Sequence, residues 1–260
     1  MKISRRRLIQ TGFWGTLLSG LGAYGYARGP GRKGIVTRRL EVPISGLPEE
    51  LDGYRIVHLS DFHIDPLMER AHHAEAVRIA NGLHPHLVAM TGDFVSDKGE
   101  AIDELSPELG ELEARDGLFA CLGNHDKWHQ PQKVSRSLDR HGIRVLENGG
   151  VSLRKSGRPL YVAGLDSVWG GQPDPERTFR GKADDEVGIF LCHEPDVFRS
   201  LGGDAPFSLM MSGHTHGGQV RMPFVGAPVL PPYGRVFPYG LFSRRGAKLH
   251  VNPGIGTIEH

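Results

Sequence analysis

Five times between residues 54 and 216, a short apolar run gives way to a polar motif within one or two residues. The runs at 54–59, 87–91, 118–122, 188–192 and 207–212 lead into Asp61-Phe62-His63, Gly92-Asp93, Gly123-Asn124-His125-Asp126, His193 and Gly213-His214-Thr215-His216. A sixth run, 160–165, has the same character. Near-continuous apolar stretches of this length suit strands buried on both faces. Apolar residues recur at helical spacing between them, over 70–83, 102–115 and 132–141. Strands alternating with helices imply crossover connections and predict a layered α/β/α fold. The ends of neighbouring parallel strands line one edge of a sheet, so motifs distant in sequence meet there.

The side chains at those ends share a chemistry. Asp61 and His63 are two apart, so in extended backbone they face the same way and can reach one ion. Gly92 lets the chain turn sharply and present Asp93, whose two oxygens can bridge a pair of metals about 3.5–4 Å apart. Asn124 offers a neutral oxygen. His125 is the imidazole suited to proton transfer near neutral pH, and Asp126 is placed to hold its ring and support its protonated form. His193 ends a strand. His214 and His216, flanked by glycines, have the spacing of a metal-ligand pair. The combined donor set is nitrogen and oxygen without thiolate, which suits Mn, Fe or Zn better than Ca. The remaining histidines lack partner motifs. His72 and His73 fall on a helix, His129 stands alone, and His58 lies within a strand as core or support.

Of 260 residues, 38% are hydrophobic and 23% charged, a balance that fits one α/β domain better than two. Net charge is +1, but residues 1–27 hold Lys2, Arg5, Arg6 and Arg7 and no acid. The rest of the chain has 27 basic and 30 acidic side chains, a net of −3. Such a body has no bulk attraction to DNA, and no specific nucleic-acid binding is expected. Ser4-Arg5-Arg6-Arg7-Leu8-Ile9 precedes a mildly apolar, Gly-containing stretch, in the manner of a twin-arginine export signal. Gly25 and Ala27 supply small residues at −3 and −1 of a candidate cleavage point after Ala27; an uncleaved anchor is the alternative. Residues 28–45 read as a linker and 46–260 as the folded domain. Cys121 and Cys192 lie within apolar runs as buried thiols. Residues 223–242, rich in Gly, Pro and aromatics, read either as a rigid cover on the core or as a loop accepting an apolar substrate or membrane surface.

The ordered motifs D-x-H, G-D, G-N-H-D, H and G-H-x-H resemble those of the calcineurin-like metallophosphoesterases. With the twin-arginine start, they resemble the exported or membrane-associated bacterial phosphodiesterases of that family. The resemblance implies a layered α/β/β/α fold, a central β-sandwich flanked by helices. It implies two divalent ions, one held by Asp61, His63, Asp93 and His216 and the other by Asp93, Asn124, His193 and His214. It further implies His125 as general acid, steadied by Asp126, with attack on phosphorus by a hydroxide held between the ions. The expected substrate is a phosphodiester, lipid-linked or nucleotide-linked, met outside the cytoplasmic membrane. A phosphomonoesterase and a non-catalytic metal-binding envelope protein are the alternative readings.

Overall fold

The computed structural model describes residues 34–64, 70–154, 157–201, 206–218 and 226–256. The expected export signal at 1–27 lies outside them. Residues from Leu40 onward form one compact unit. Within the expected linker, Val42 and Ile44 pack against the core.

Among the described residues, ten strands form two sheets. The first has strands β1 (Ile56–Leu59), β2 (Leu87–Thr91), β3 (Leu118–Cys121) and β4 (Ile143–Val145), adjacent in that order. All its pairings are parallel. The second comprises β5 (Gly149–Ser152), β6 (Leu160–Gly164), β7 (Val187–Leu191), β8 (Leu209–Ser212), β9 (Gly240–Arg244) and β10 (Ala247–Val251), in the order β5-β6-β7-β8-β10-β9. Its centre is parallel, and the edge strands β5 and β9 run antiparallel. The single-sheet α/β/α expectation is thus corrected to two sheets, as the family resemblance implied. The apolar runs alone do not divide strands between sheets, because each central strand is buried on both faces in either arrangement.

Side-chain alternation along each strand shows how the layers stack. Leu87, Ala89, Phe119 and Cys121 of the first sheet meet Leu160, Val162, Ile189, Leu191, Leu209 and Met211 of the second, filling the sandwich. Val57, Leu59, Val88, Met90, Leu118 and Ala120 point the other way. They pack under α1 (Arg70–Gly82), α2 (Ile102–Leu109) and α4 (Pro131–Arg140). Between β3 and α4 lies a single short helix, α3 (Asn124–Trp128). On the far side, Tyr161, Ala163, Phe190, Met210 and Leu249 carry α5 (Pro175–Phe179) and α6 (Val197–Ser200) through Phe179 and Phe198. The order is helix, sheet, sheet, helix.

Helix α2 is shorter than the 102–115 pattern. It contains Pro107 and stops at Leu109, where Gly110 passes close to the His141 side chain. Cys121 and Cys192 are free and buried, and burial pushes both thiols well above their ordinary range. No helix among the described residues is long and apolar enough to cross a membrane.

Candidate metal centre

The five motifs converge, but from both sheets. Asp61, His63, Asp93 and Asn124 follow β1, β2 and β3, whereas His193, His214 and His216 follow β7 and β8. The segments beyond the strands stay hydrogen-bonded: Asp61 N–H donates to Gly92 O at 2.9 Å and His63 N–H to Asp93 O at 3.0 Å. This places the site at one end of the sandwich, where the two sheets meet.

Five of these residues have left-handed backbone: Asp61 (φ 51°), His63 (43°), Asp93 (52°), His214 (75°) and His216 (50°). Non-glycine residues adopt that region sparingly, and its use concentrates where a side chain must be aimed. The glycines beside them leave room. A Cβ added at Gly213 would lie 1.8 Å from Ser60 Oγ and 2.1 Å from Asp61 Oδ2, and one at Gly123 2.2 Å from Asp93 Oδ1.

The side chains form two overlapping groups that share Asp93. Around the first, His216 Nε2 lies 3.1 Å from His63 Nε2 and 3.4 Å from Asp61 Oδ1, and His63 Nε2 lies 3.4 Å from Asp93 Oδ2. Around the second, His193 Nε2 lies 3.1 Å from Asp93 Oδ2 and 3.2 Å from His214 Nδ1. Two donors that are each about 2.1 Å from one ion stand roughly 3.0–3.4 Å apart, so these spacings are edges of a coordination shell. The buried Oδ1 of Asn124 has no hydrogen-bond partner among the described residues, which suits a ligand oxygen. The donor set fits divalent metal.

Backbone carbonyls decide which ring nitrogen faces the centre. His193 Nδ1 donates to Thr91 O at 2.6 Å and His214 Nε2 to Pro232 O at 2.7 Å. Each turns its other nitrogen inward, the one that would face an ion. Burial pushes His214 down to about 3 and His216 down to about 4, so both are neutral at physiological pH, the form that binds metal. Burial works against a charge on Asp93, but His193 and His63 beside it hold its carboxyl well below the usual range. Burial also works against a charge on His193, but Asp93 raises it well above the ordinary imidazole range. Loading a cation against this pair therefore displaces a proton.

His125 lies at the rim. Its ring meets the edge of His63 at a centroid distance of 4.9 Å, its Nδ1 donates to Ser96 O at 2.8 Å, and its N–H donates to Asp93 Oδ1 at 2.9 Å. Asp126 does not take the place expected of it, because Ser96 O is the partner of the His125 ring. The Asp126 carboxylate instead accepts Phe94 N–H at 2.8 Å, Val95 N–H at 3.1 Å and Gly123 N–H at 2.9 Å. It ties the loop after β2 to the start of α3, with its acid reaching back to the helix cap. Burial, and next the charge of Asp93, push it up to about 7.

Several residues without a sequence signal complete the surroundings. Ser60 Oγ donates to Asp61 Oδ2, Thr91 Oγ1 donates to Ser60 Oγ at 2.8 Å, and His58 Nε2 meets Thr91 Oγ1 at 2.9 Å. His58 thus supports the site, in line with its reading as core or support, and its Nδ1 meets His250 in the second sheet at 2.9 Å. His129, expected to stand alone, sits beside His125 at a ring distance of 6.5 Å. The described part of the Pro-rich segment covers the metal end. Besides Pro232 O on His214, Pro238 O accepts the Thr215 hydroxyl at 2.6 Å, and the Asp196 carboxylate receives the N–H groups of Arg235, Val236 and Phe237. Val229, Tyr233 and Val236 remain exposed on it.

A two-sheet sandwich with a shared-carboxylate, imidazole-rich centre at its end defines a metal-dependent phosphoester hydrolase. Residues 54–218 match the calcineurin-like phosphoesterase family, and the chain belongs to that family, whose members depend on divalent metal. It is 34% identical to the metallophosphoesterase YkuE of Bacillus subtilis over 99% of this chain and 92% of that one. It is 29% identical to the phosphodiesterase YaeI of Escherichia coli over 98% of this chain and 93% of that one. UDP-2,3-diacylglucosamine pyrophosphatase LpxG of Chlamydia muridarum is 29% identical over 79% of each chain. Among solved structures, TT1561 of Thermus thermophilus superposes with a TM-score of 0.52 over 78% of this chain and 90% of that one. At 14% identity this likeness shows the fold alone.

Proposed function

We propose that the chain is a phosphodiesterase working with two divalent ions, Mn, Fe or Zn, the first at Asp61, His63, Asp93 and His216 and the second at Asp93, Asn124, His193 and His214. The observation that carries this reading is the pair of buried donor groups sharing Asp93 beside a rim imidazole. Those residues would hold the ions, which would supply neutralisation of phosphoryl charge and an acidified water. The chain's own residues do the rest. Asp93 turns Oδ2 toward both groups while its Oδ1 anchors the backbone of His125. His125, oriented through Nδ1 by Ser96 O, presents Nε2 to protonate the departing alkoxide oxygen. Asp126 holds the loop that fixes both.

The diester preference is supported by the near full-length likeness to a protein named a phosphodiesterase, and a lipid-linked or nucleotide-linked substrate by the likeness to a pyrophosphatase of UDP-2,3-diacylglucosamine. The test compares bis(p-nitrophenyl) phosphate with p-nitrophenyl phosphate, after EDTA and after adding back Mn²⁺ or Zn²⁺. We expect diester turnover to vanish with chelation and return with metal. Preference for the monoester would overturn the diester reading. Two ions bound per chain with no turnover would instead favour a binding role.

Export through the twin-arginine route is part of the same proposal, supported by Ser4-Arg5-Arg6 ahead of an apolar stretch. It places the enzyme outside the cytoplasm or anchored at the membrane. Exchanging Arg5 and Arg6 for Lys should leave the protein in the cytoplasm; unchanged export on cell fractionation would refute the route.

A further inference from the structure

Two large apolar side chains stand half-exposed at the mouth of the metal centre. Trp128, the last residue of α3, is 45% exposed, and Trp169, in the loop after β6, is 38% exposed. They meet edge to face, with ring centroids 4.9 Å apart and planes at 79°. Each also touches a histidine of the site: Trp128 lies 5.2 Å from the His125 ring and Trp169 lies 5.6 Å from the His214 ring. The pair therefore spans from the proposed proton donor to a proposed ligand of the second ion.

Both indoles are locked from beneath. Lys127, nearly buried, pairs with Asp166 at 2.9 Å and so fastens α3 to the loop that carries Trp169. Gly170 presses on α3 so closely that a Cβ there would lie 2.8 Å from Lys127 Cβ and 3.2 Å from Trp128 Nε1. The fully buried Glu194, next to His193, accepts the Ser167 hydroxyl together with the N–H groups of Val168 at 3.2 Å and Trp169 at 3.4 Å. Apolar surface left open on a fixed frame beside a reaction centre is a mark of ligand binding.

We infer that Trp128 and Trp169 form a subsite for a ring-bearing leaving group, an aryl ring joined through its oxygen to the phosphate that the metal centre holds. This rests on the phosphoesterase reading above. The side is set by Trp128, which packs on His125, the residue that protonates the leaving oxygen. The shape is set by the right-angled corner. A ring stacked on one indole presents to the edge of the other, and aromatic quadrupoles favour both arrangements. An alkyl chain gains no such directional attraction. Indoles with two side-chain torsions, already fixed by the frame, lose little entropy on binding.

The test uses the metal-loaded full chain and three non-hydrolysable probes, methylphosphonate, phenylphosphonate and octylphosphonate, with binding followed by calorimetry. Phenylphosphonate should bind roughly three- to tenfold tighter than methylphosphonate, the range that one aromatic contact contributes. Trp128→Ala and Trp169→Ala should each abolish that advantage while leaving methylphosphonate affinity and metal content unchanged. Trp128→Phe should restore most of it. Equal affinity for phenyl and methyl probes in the wild type would overturn the subsite. A larger gain for the octyl probe would overturn the ring in favour of an alkyl chain. Failure of methylphosphonate to bind in a metal-dependent way would instead count against the phosphoesterase reading on which the subsite rests.

Discussion

His125→Ala should lower turnover of an alkyl phosphodiester by about 10²–10⁴, the usual contribution of a placed general acid, with both ions still bound. The loss should be much smaller on a p-nitrophenyl diester, because a nitrophenolate departs without a proton and an alkoxide does not. This difference separates proton donation from a structural role, since a distorted site would slow both substrates alike. The geometry supports the separation. The ring stands at the rim, its Nδ1 is taken by Ser96 O, and only its backbone N–H touches Asp93. The competing role is as a ligand, because His125 also groups with His63 and Asp93 closely enough to hold an ion. Metal analysis of the variant decides between them: an ion lost along with activity would make His125 a ligand.

Removing the metal should be felt by the whole fold as well as by the reaction. The donors come from the ends of β1, β2 and β3 in one sheet and of β7 and β8 in the other, so bound ions would join the sheets where, among the described residues, no disulfide does. A ligand that binds only the folded state stabilises it by about 2.7 kcal/mol when present at a hundred times its dissociation constant. In a chain of this size each kcal/mol moves the melting temperature about 2–4 °C. Two ions together should then raise it by roughly 10–20 °C over the chelated protein. Scanning calorimetry with EDTA and with Mn²⁺ measures this. An unchanged melting point despite confirmed metal loss would show that the ions add nothing to the joint between the sheets.

Much of this site is legible in the sequence because its residues follow strands. A strand is a rigid ruler, and an apolar run ending in a polar motif marks both its tip and its cargo. Asp61, Asp93, Asn124, His193 and His214 were readable for that reason. The runs did not show that two sheets meet at the site, because a strand buried on both faces looks the same in a single covered sheet and in a sandwich. Strand β4, with three residues, and β5, which contains two glycines, are too short or too weakly patterned to register. Trp128, Trp169, Asp166 and Glu194 were missed for a different reason. Their importance lies in contacts across loops, and no spacing rule records that Glu194 holds the Trp169 turn. The role of Asp126 was misread because adjacency in sequence to His125 suggested contact, whereas the helical turn of α3 sends its carboxylate toward the backbone of residues 94, 95 and 123.

The left-handed backbone at Asp61, His63, Asp93, His214 and His216 sets a ceiling on how far this protein can be hardened. A left-handed L-residue costs roughly 1–2 kcal/mol, which glycine does not incur. Glycine at these five positions would relieve that strain and erase a ligand each time, so it gains stability only in the metal-free protein; with metal bound, the lost ion costs more than the strain relieved. Thermostable descendants that keep activity must take their gains elsewhere, in loops and surface charge, and carry the strained end of the sandwich unchanged. In a survey of tolerated substitutions, these positions should divide by assay, more permissive when folding of the chelated protein is scored and closed when turnover is.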